Sequence, residues 1–332
     1  MSKRPLASTL GPTVCRYLDL KEALGRKYAI ERSVLEQLDE YLAASATDLT
    51  SDSFGRWCHT QQHLTSTVRR NRMRIVRNLC LYRRRTDLTC FVPDPSQFPS
   101  NHQPVQPYLF TEQEVARLLR ATADLKPISR SPLRREVFRL AIVLLYTTGL
   151  RRGELLRLTV GDYDSREKTL LVRASKFHKS RLLPLSPDGV HELEAYLALR
   201  RIHGSPITAE APLLWNGFKG GRPYTGVGLG EGVRLLCRAT EIATPAGRAP
   251  RVHDFRHAFA IHALVRWYRE GADVQAKLPY LATYMGHVSI ASTQYYLQFV
   301  DELARCASER FARHCGSLVT TSSTAPAPGG AR

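Results

Sequence analysis

The sequence predicts a mainly α protein with a small antiparallel β-sheet, an α+β chain built from two domains. Three observations predict it. Apolar residues recur at helical spacing over most of the chain. One stretch, TLLVRASKFHKSRLLPLS, reads as two short strands, Leu170 to Ala174 and Arg181 to Leu185, joined by a polar turn. A proline-rich segment divides the chain, and 332 residues suit about two domains. An apolar fraction of 43% is enough for a real core. Neither an alternating strand–helix pattern nor a glycine-rich phosphate loop occurs, which excludes the usual nucleotide-binding folds.

Residues 1–12 read as an extension: MSKRPLASTLGP is basic but has no apolar run after it, so it is not a secretory signal. Residues 13–90 read as a small helical domain. In SVLEQLDEYLAA, Val34, Leu35, Leu38 and Leu42 share one face. In the helix predicted over Leu64 to Arg85, Val68, Ile75, Leu79 and Tyr82 form the apolar stripe. Arg69, Arg70, Arg72, Arg74 and Arg77 occupy much of the rest, with no acid between Val68 and Arg85. A helix so rich in arginine repels itself unless phosphates neutralise it, which points to nucleic acid.

Residues 91–107 carry five prolines, and proline lacks an amide donor and disfavours helix before it, so an extended linker is expected there. The larger domain, 108–316, opens on Thr111-Glu-Gln-Glu114, which has the form of a capping box. A long apolar helix through Val137 to Tyr146 ends at Gly149. Helical patterns resume at Pro187 and continue to about residue 314. The tail, 317–332, is rich in Ser, Thr, Pro, Ala and Gly and reads as disordered. The most apolar run, Leu140 to Tyr146, is far shorter than the ~20 residues of a membrane span, so a soluble chain is expected.

Lys and Arg total 48 against 30 Asp and Glu, a net charge of +18 that favours a polyanionic partner. The seven cysteines are odd in number, irregular in spacing and without a C-x-x-C pair, as expected of reduced thiols in a cytosolic protein.

Several polar residues ask for an explanation. Arg151 follows a Gly-Leu turn, with Glu154 three residues on. His253 precedes Arg256 in HDFRHAFA. Lys176 lies in the predicted hairpin turn. His287 follows Gly286, and Tyr295 and Tyr296 come shortly after. Each has a bland reading: a surface ion pair, a solvated lysine, packed histidines. Together they suit phosphoryl transfer. Guanidinium groups grip phosphate oxygens in a fork and neutralise a phosphorane-like transition state. A tyrosine hydroxyl can attack phosphorus, helped by nearby cations or a histidine because its free pKa is about 10. A lysine can protonate the leaving oxygen. No metal or other cofactor is called for. His253 and His257 stand four apart, but Asp254 and Arg256 lie between them, and an arginine disfavours a cation site. Residue types alone do not choose between Tyr295 and Tyr296.

The segments TGLRRGELLRL, SKFHKSRLLPL, HDFRHAFA and MGHVSIASTQYY, in that order, resemble the boxes of the tyrosine recombinase (phage integrase) family. The basic helical region and proline segment resemble that family's core-binding (SAM-like) domain. The resemblance implies that Arg151 and Arg256 clamp the scissile phosphate, with Glu154 supporting the arginine. It makes His253 an aid to proton transfer at the tyrosine or a hydrogen-bond partner of the phosphate, His287 a hydrogen-bond donor to a non-bridging oxygen, and Lys176 the general acid. Tyr296, nine positions after His287, falls on the nucleophile's place; Tyr295 falls on the usually apolar position before it. Two departures are visible: Ser175 and Phe177 flank the lysine where glycines are usual, with Lys179 nearby, and Met285 replaces a leucine.

The function so implied is site-specific recombination of double-stranded DNA through a 3′-phosphotyrosine and a Holliday junction, without ATP. It implies a homotetramer, or a hetero-tetramer with related recombinases, acting in the cytoplasm at the nucleoid, and the divergent boxes suit a mobile-element integrase or transposase. A type IB topoisomerase, or a non-catalytic DNA-binding protein of the same fold, would share much of this pattern. The segment DELARCASERFARH suits either a helix docked on a neighbouring protomer or one closing its own domain.

Overall fold

The structure, a computed structural model, describes residues 6–26, 28–100, 106–173, 180–218, 221–287, 289, 291–294, 305, 308 and 309. The chain divides into two units, Met1–Val105 and Gln106–Arg332.

The first unit holds α1 (Gly11–Ala23), α2 (Ala29–Ala44), α3 (Ser51–Thr60) and α4 (Ser66–Arg83). α1 begins two residues ahead of the predicted domain start. Its approach is tied down by the buried Asp39 of α2, whose carboxylate accepts from the amides of Ala7 (2.7 Å) and Ser8 (3.3 Å) and from the Ser8 hydroxyl. Thr50 and Ser53 cap α3 reciprocally. The core joins Leu35, Leu38 and Leu42 with Trp57, Val76 and Leu79, all essentially inaccessible.

Two expectations change here. Val68 does not belong to the buried stripe of α4: it sits in the first turn, ahead of the packed stretch, and is 42% exposed. The stripe is Met73, Ile75, Val76, Leu79 and Cys80. The described part of the proline segment is not a free linker either. Phe98 is buried and Phe91 and Val92 pack on the same core. Proline supplies no amide donor but its carbonyl still needs one, and α4 provides it: Arg77 donates to the Pro93 carbonyl (2.7 Å) and Arg70 to that of Pro99 (2.9 Å).

The second unit starts with α5 (Glu112–Ala121), whose capping box is formed as predicted. The Glu114 amide donates to Thr111 Oγ1 (3.2 Å) and the Thr111 amide to Glu114 Oε2 (2.9 Å). α6 (Arg134–Thr148) is the central helix, buried on nearly all sides from Val137 to Leu145. The short α7 (Arg152–Leu155) leads to β1 (Tyr163–Asp164), β2 (Thr169–Val172) and β3 (Arg181–Pro184), an antiparallel sheet in the order β1-β2-β3. Leu170 pairs with Leu183 and Val172 with Arg181. Then follow α8 (Pro187–Ile202), β4 (Trp215–Asn216), β5 (Arg222–Pro223), α9 (Gly226–Ala239), α10 (Asp254–Arg269), α11 (Val274–Met285) and α12 (Ala291–Gln294).

The class is the predicted one, mainly α with small antiparallel sheets. The single predicted hairpin gains a third strand, β1, and β4 and β5 form a second small sheet inside a stretch expected to be helical. Strands of two residues are too short to show a period. α6 packs against α8, α9 and α10, and Phe255 of α10 stacks on Phe110 with ring centroids 4.2 Å apart. A second cluster joins Ile261 and Leu264 to Leu278, Leu281 and Met285, which fixes α11 on α10. Among the described residues, no helix is long and apolar enough to cross a membrane.

Candidate active site

Two helices that end in glycine organise the site. α6 stops at Gly149 (φ 61°) and α11 at Gly286 (φ 68°), both in the left-handed region that glycine enters without cost. A helix C-terminus leaves carbonyls without intrahelical donors and carries partial negative charge. Here arginines meet those carbonyls. Three consecutive oxygens at the end of α11 each accept one guanidinium N–H. Tyr284 takes Arg181 Nε, Met285 takes Arg256 Nη2 and Gly286 takes Arg151 Nη2, all at 2.8 Å. Arg256 Nη1 also donates to the Gly149 carbonyl (2.5 Å), so one fully buried guanidinium joins the ends of α6 and α11.

Glu154, in α7, is the carboxylate of this cluster, 3% exposed. It accepts from the backbone amide of Arg151 (2.9 Å), from Arg151 Nη1 (2.8 Å), and from Arg181 Nη1 (3.1 Å) and Nη2 (3.0 Å). Burial by itself would raise its pKa; the hydrogen bonds and charge of Arg181 and Arg151 together outweigh burial and hold it at about 2. It is therefore ionised at any working pH. Its bonds to Arg151 use one N–H of five on that guanidinium, and Gly286 uses a second.

His287, just past the α11 terminus, has Nδ1 2.7 Å from the hydroxyl of the buried Thr293 of α12. Desolvation, and then the charges of Arg256, Arg151 and Arg181, push its pKa down to about 4. His253 stands at the N-terminus of α10. It is open to solvent on one side, yet desolvation of the rest of the ring, then His257 and Arg256, push it down to about 4 as well. The His253 and His257 rings meet edge to face, 4.8 Å between centroids. Both site histidines are thus neutral near pH 7. Beside His253 lies a cavity of about 470 Å³ whose lining also includes Arg151, Arg152, Arg234 and Arg251. A concave surface with four guanidinium groups is suited to anionic oxygens.

The fold brings together Arg151, Glu154, His253, Arg256 and His287. Lys176, its neighbour Lys179, the two tyrosines Tyr295 and Tyr296, and the segment 301–314 apart from residues 305, 308 and 309 lie outside the described residues. The arginines of α4 belong to the first unit. Arg70 and Arg77 bind carbonyls of the proline segment, Arg72 donates to Gln61, Arg69 is half-buried, and Arg74 is exposed. Sequence reasoning missed two residues of the cluster. Arg181 opens an apolar strand, the only sign that its charge had a buried partner. Thr293 gave no signal.

The helix ends of the second unit thus gather three arginines, a buried carboxylate and two histidines of lowered pKa. Residues 109–302 match the model of the phage integrase family, and the chain belongs to that family, the tyrosine recombinases. The integrase/recombinase y4rB of Sinorhizobium fredii is 31% identical over 309 residues, covering 92% of this chain and 98% of that protein. The tyrosine recombinase XerD of Mycobacterium tuberculosis is 34% identical over 195 residues, 57% of this chain and 56% of its own. Among solved structures, the Tn1549 transposon integrase in complex with transposon right end DNA aligns with a TM-score of 0.62 at 20% identity, over 90% of this chain and 99% of that one. XerH bound to difH in a post-cleavage complex aligns at 0.61 and 17% identity, over 85% and 78%. These two share the fold.

Proposed function

We propose that the protein is a site-specific DNA recombinase that cuts and rejoins double-stranded DNA through a 3′-phosphotyrosine on Tyr296. The observation that carries this reading is the seating of Arg151 and Arg256 on the adjacent carbonyls of Gly286 and Met285. It fixes two guanidinium groups side by side at the start of the segment that leads to Tyr296.

Arg151 and Arg256 bind the non-bridging oxygens of the scissile phosphate and stabilise the extra charge of the phosphorane-like transition state. The Tyr296 oxygen attacks phosphorus, the bond to the 5′ oxygen breaks, and the tyrosine's proton passes to His253. That histidine can accept it because its depressed pKa leaves it neutral near pH 7. Lys176 gives a proton to the leaving 5′ oxygen. With the Thr293 hydroxyl, 2.7 Å away, donating to His287 Nδ1, Nε2 carries the ring proton and donates a hydrogen bond to a non-bridging oxygen. A 5′-hydroxyl of a partner strand then attacks the phosphotyrosine and regenerates the tyrosine.

Because the phosphoester energy is kept in the covalent intermediate, ATP has no role, and guanidinium groups supply the positive charge that a metal would otherwise bring. Two rounds of exchange through a Holliday junction require four protomers, identical or drawn from related recombinases, acting at the nucleoid in the cytoplasm. Residues 13–90 serve as the core-binding domain and 108–316 as the catalytic domain. The DNA held by the Tn1549 integrase and by XerH supports duplex DNA as partner.

The test uses the full chain and a library of nicked random-sequence duplexes, from which detergent-resistant adducts are isolated and sequenced. Adducts enriched for one sequence are expected. Tyr296→Phe should abolish them and leave binding intact; Tyr295→Phe should retain them. An intact chain that forms no adduct with any duplex sinks the covalent reading.

A further inference from the structure

Arg181 is an arginine of the cluster that the mechanism above does not use. It begins β3, paired with Val172 of β2, and its side chain is 10% exposed. Its guanidinium is engaged on both sides. Nη1 and Nη2 form a fork on the two oxygens of Glu154, and Nε donates to the Tyr284 carbonyl. The group also lies against Gly286: a Cβ built on that glycine would stand 2.7 Å from Arg181 Nη1. Arg151 has two side-chain acceptors, the Glu154 carboxylate and the Gly286 carbonyl. Arg181 bonds to the first and lies against the glycine that carries the second.

We propose that Arg181 is a positioning residue for DNA cleavage: through Glu154 and the Tyr284–Gly286 turn it holds Arg151 in the geometry that receives the scissile phosphate. The inference rests on the recombinase reading above. A guanidinium that forks on one carboxylate while reaching a carbonyl from Nε fixes the distance between α7 and the end of α11. A lysine ammonium at the same position would neutralise Glu154 but is a point charge, and cannot hold both partners at those angles. The simpler alternative is that Arg181 only neutralises a buried carboxylate, and the two roles separate by experiment.

The probe is the nicked duplex recovered in the adduct selection, used with the full chain. Arg181→Lys should bind it with wild-type affinity within about twofold and melt within a few degrees of wild type. Its single-turnover rate of adduct formation should fall about 10- to 100-fold, as for a small misplacement of a clamping group. Combining it with Glu154→Gln should slow the reaction no more than about threefold beyond the slower single variant, because both act through one contact. Should the lysine variant fail to fold, Arg181→Gln combined with Glu154→Gln, which leaves no buried charge to neutralise, makes the comparison: a rate that stays low supports positioning, and a rate restored to wild type overturns it. A wild-type rate in Arg181→Lys, or losses that multiply in the double variant, overturns the proposal alone. A wild-type chain that forms no adduct overturns the recombinase reading and this inference together.

Discussion

Thr293 shows how much of a site histidine's behaviour is set by its neighbour. Its hydroxyl, buried and 2.7 Å from His287 Nδ1, orients the imidazole ring, and in the proposed mechanism it donates to Nδ1 so that the ring proton lies on Nε2. Thr293→Val should therefore slow adduct formation by about 3- to 30-fold, less than a lost general acid or base would, with DNA affinity unchanged; single-turnover cleavage checks it. The same histidines predict a pH dependence of stability. His253 and His287 have folded pKa values pushed down to about 4, and that of His257 is lowered too. As pH falls below about 6.5, the unfolded chain takes up protons that these folded sites refuse, so stability falls from about pH 6.5 toward pH 4. Glu154 acts in the same direction only lower, because its folded pKa is about 2. Urea unfolding at pH 7, 6 and 5 should show the loss, and replacing His253 and His287 with glutamine should flatten it.

Elements carry the next level of constraint. α6 was legible because its apolar run is unbroken and its stop is a glycine. The structure adds that Gly149 has no room for a side chain: a Cβ there would lie 2.5 Å from Phe259 Cδ1 at a φ of 61°. Gly149→Ala should cost about 2–4 kcal/mol, the left-handed penalty plus overpacking, measurable by denaturant unfolding. The arginines of α4 looked alike in sequence, yet the fold gives them different work. Arg74 is exposed, whereas Arg77 satisfies the Pro93 carbonyl. Arg74→Ala should lower the salt dependence of DNA binding by about one unit of slope and leave stability unchanged. Arg77→Ala should cost about 1 kcal/mol of stability through the lost hydrogen bond. An unchanged slope in Arg74→Ala would show that this face of α4 does not meet phosphate. β1, β4 and β5 escaped the sequence because two-residue strands have no periodicity to detect.

Across the whole molecule, the information divides by range. The capping box at Thr111, the stop at Gly149, the apolar α6 and the +18 charge are consequences of neighbours in the chain, and composition and spacing determine them. So is the Arg151–Glu154 pair, one helical turn apart. The cluster that makes these residues a site is not local. Arg151 meets Gly286 across 135 positions, Arg256 meets Gly149 across 107, and Arg181 meets Tyr284 across 103 and Glu154 across 27. Spacing carries no trace of such contacts. They form because packing of α10 and α11 beside α6 brings two helix C-termini together, and their carbonyls, lacking partners of their own, draw in whichever guanidinium groups stand near. Neighbouring residues could say which side chains suit phosphoryl transfer; only the packed helices decided which arginines face one another and that Arg181 joins them.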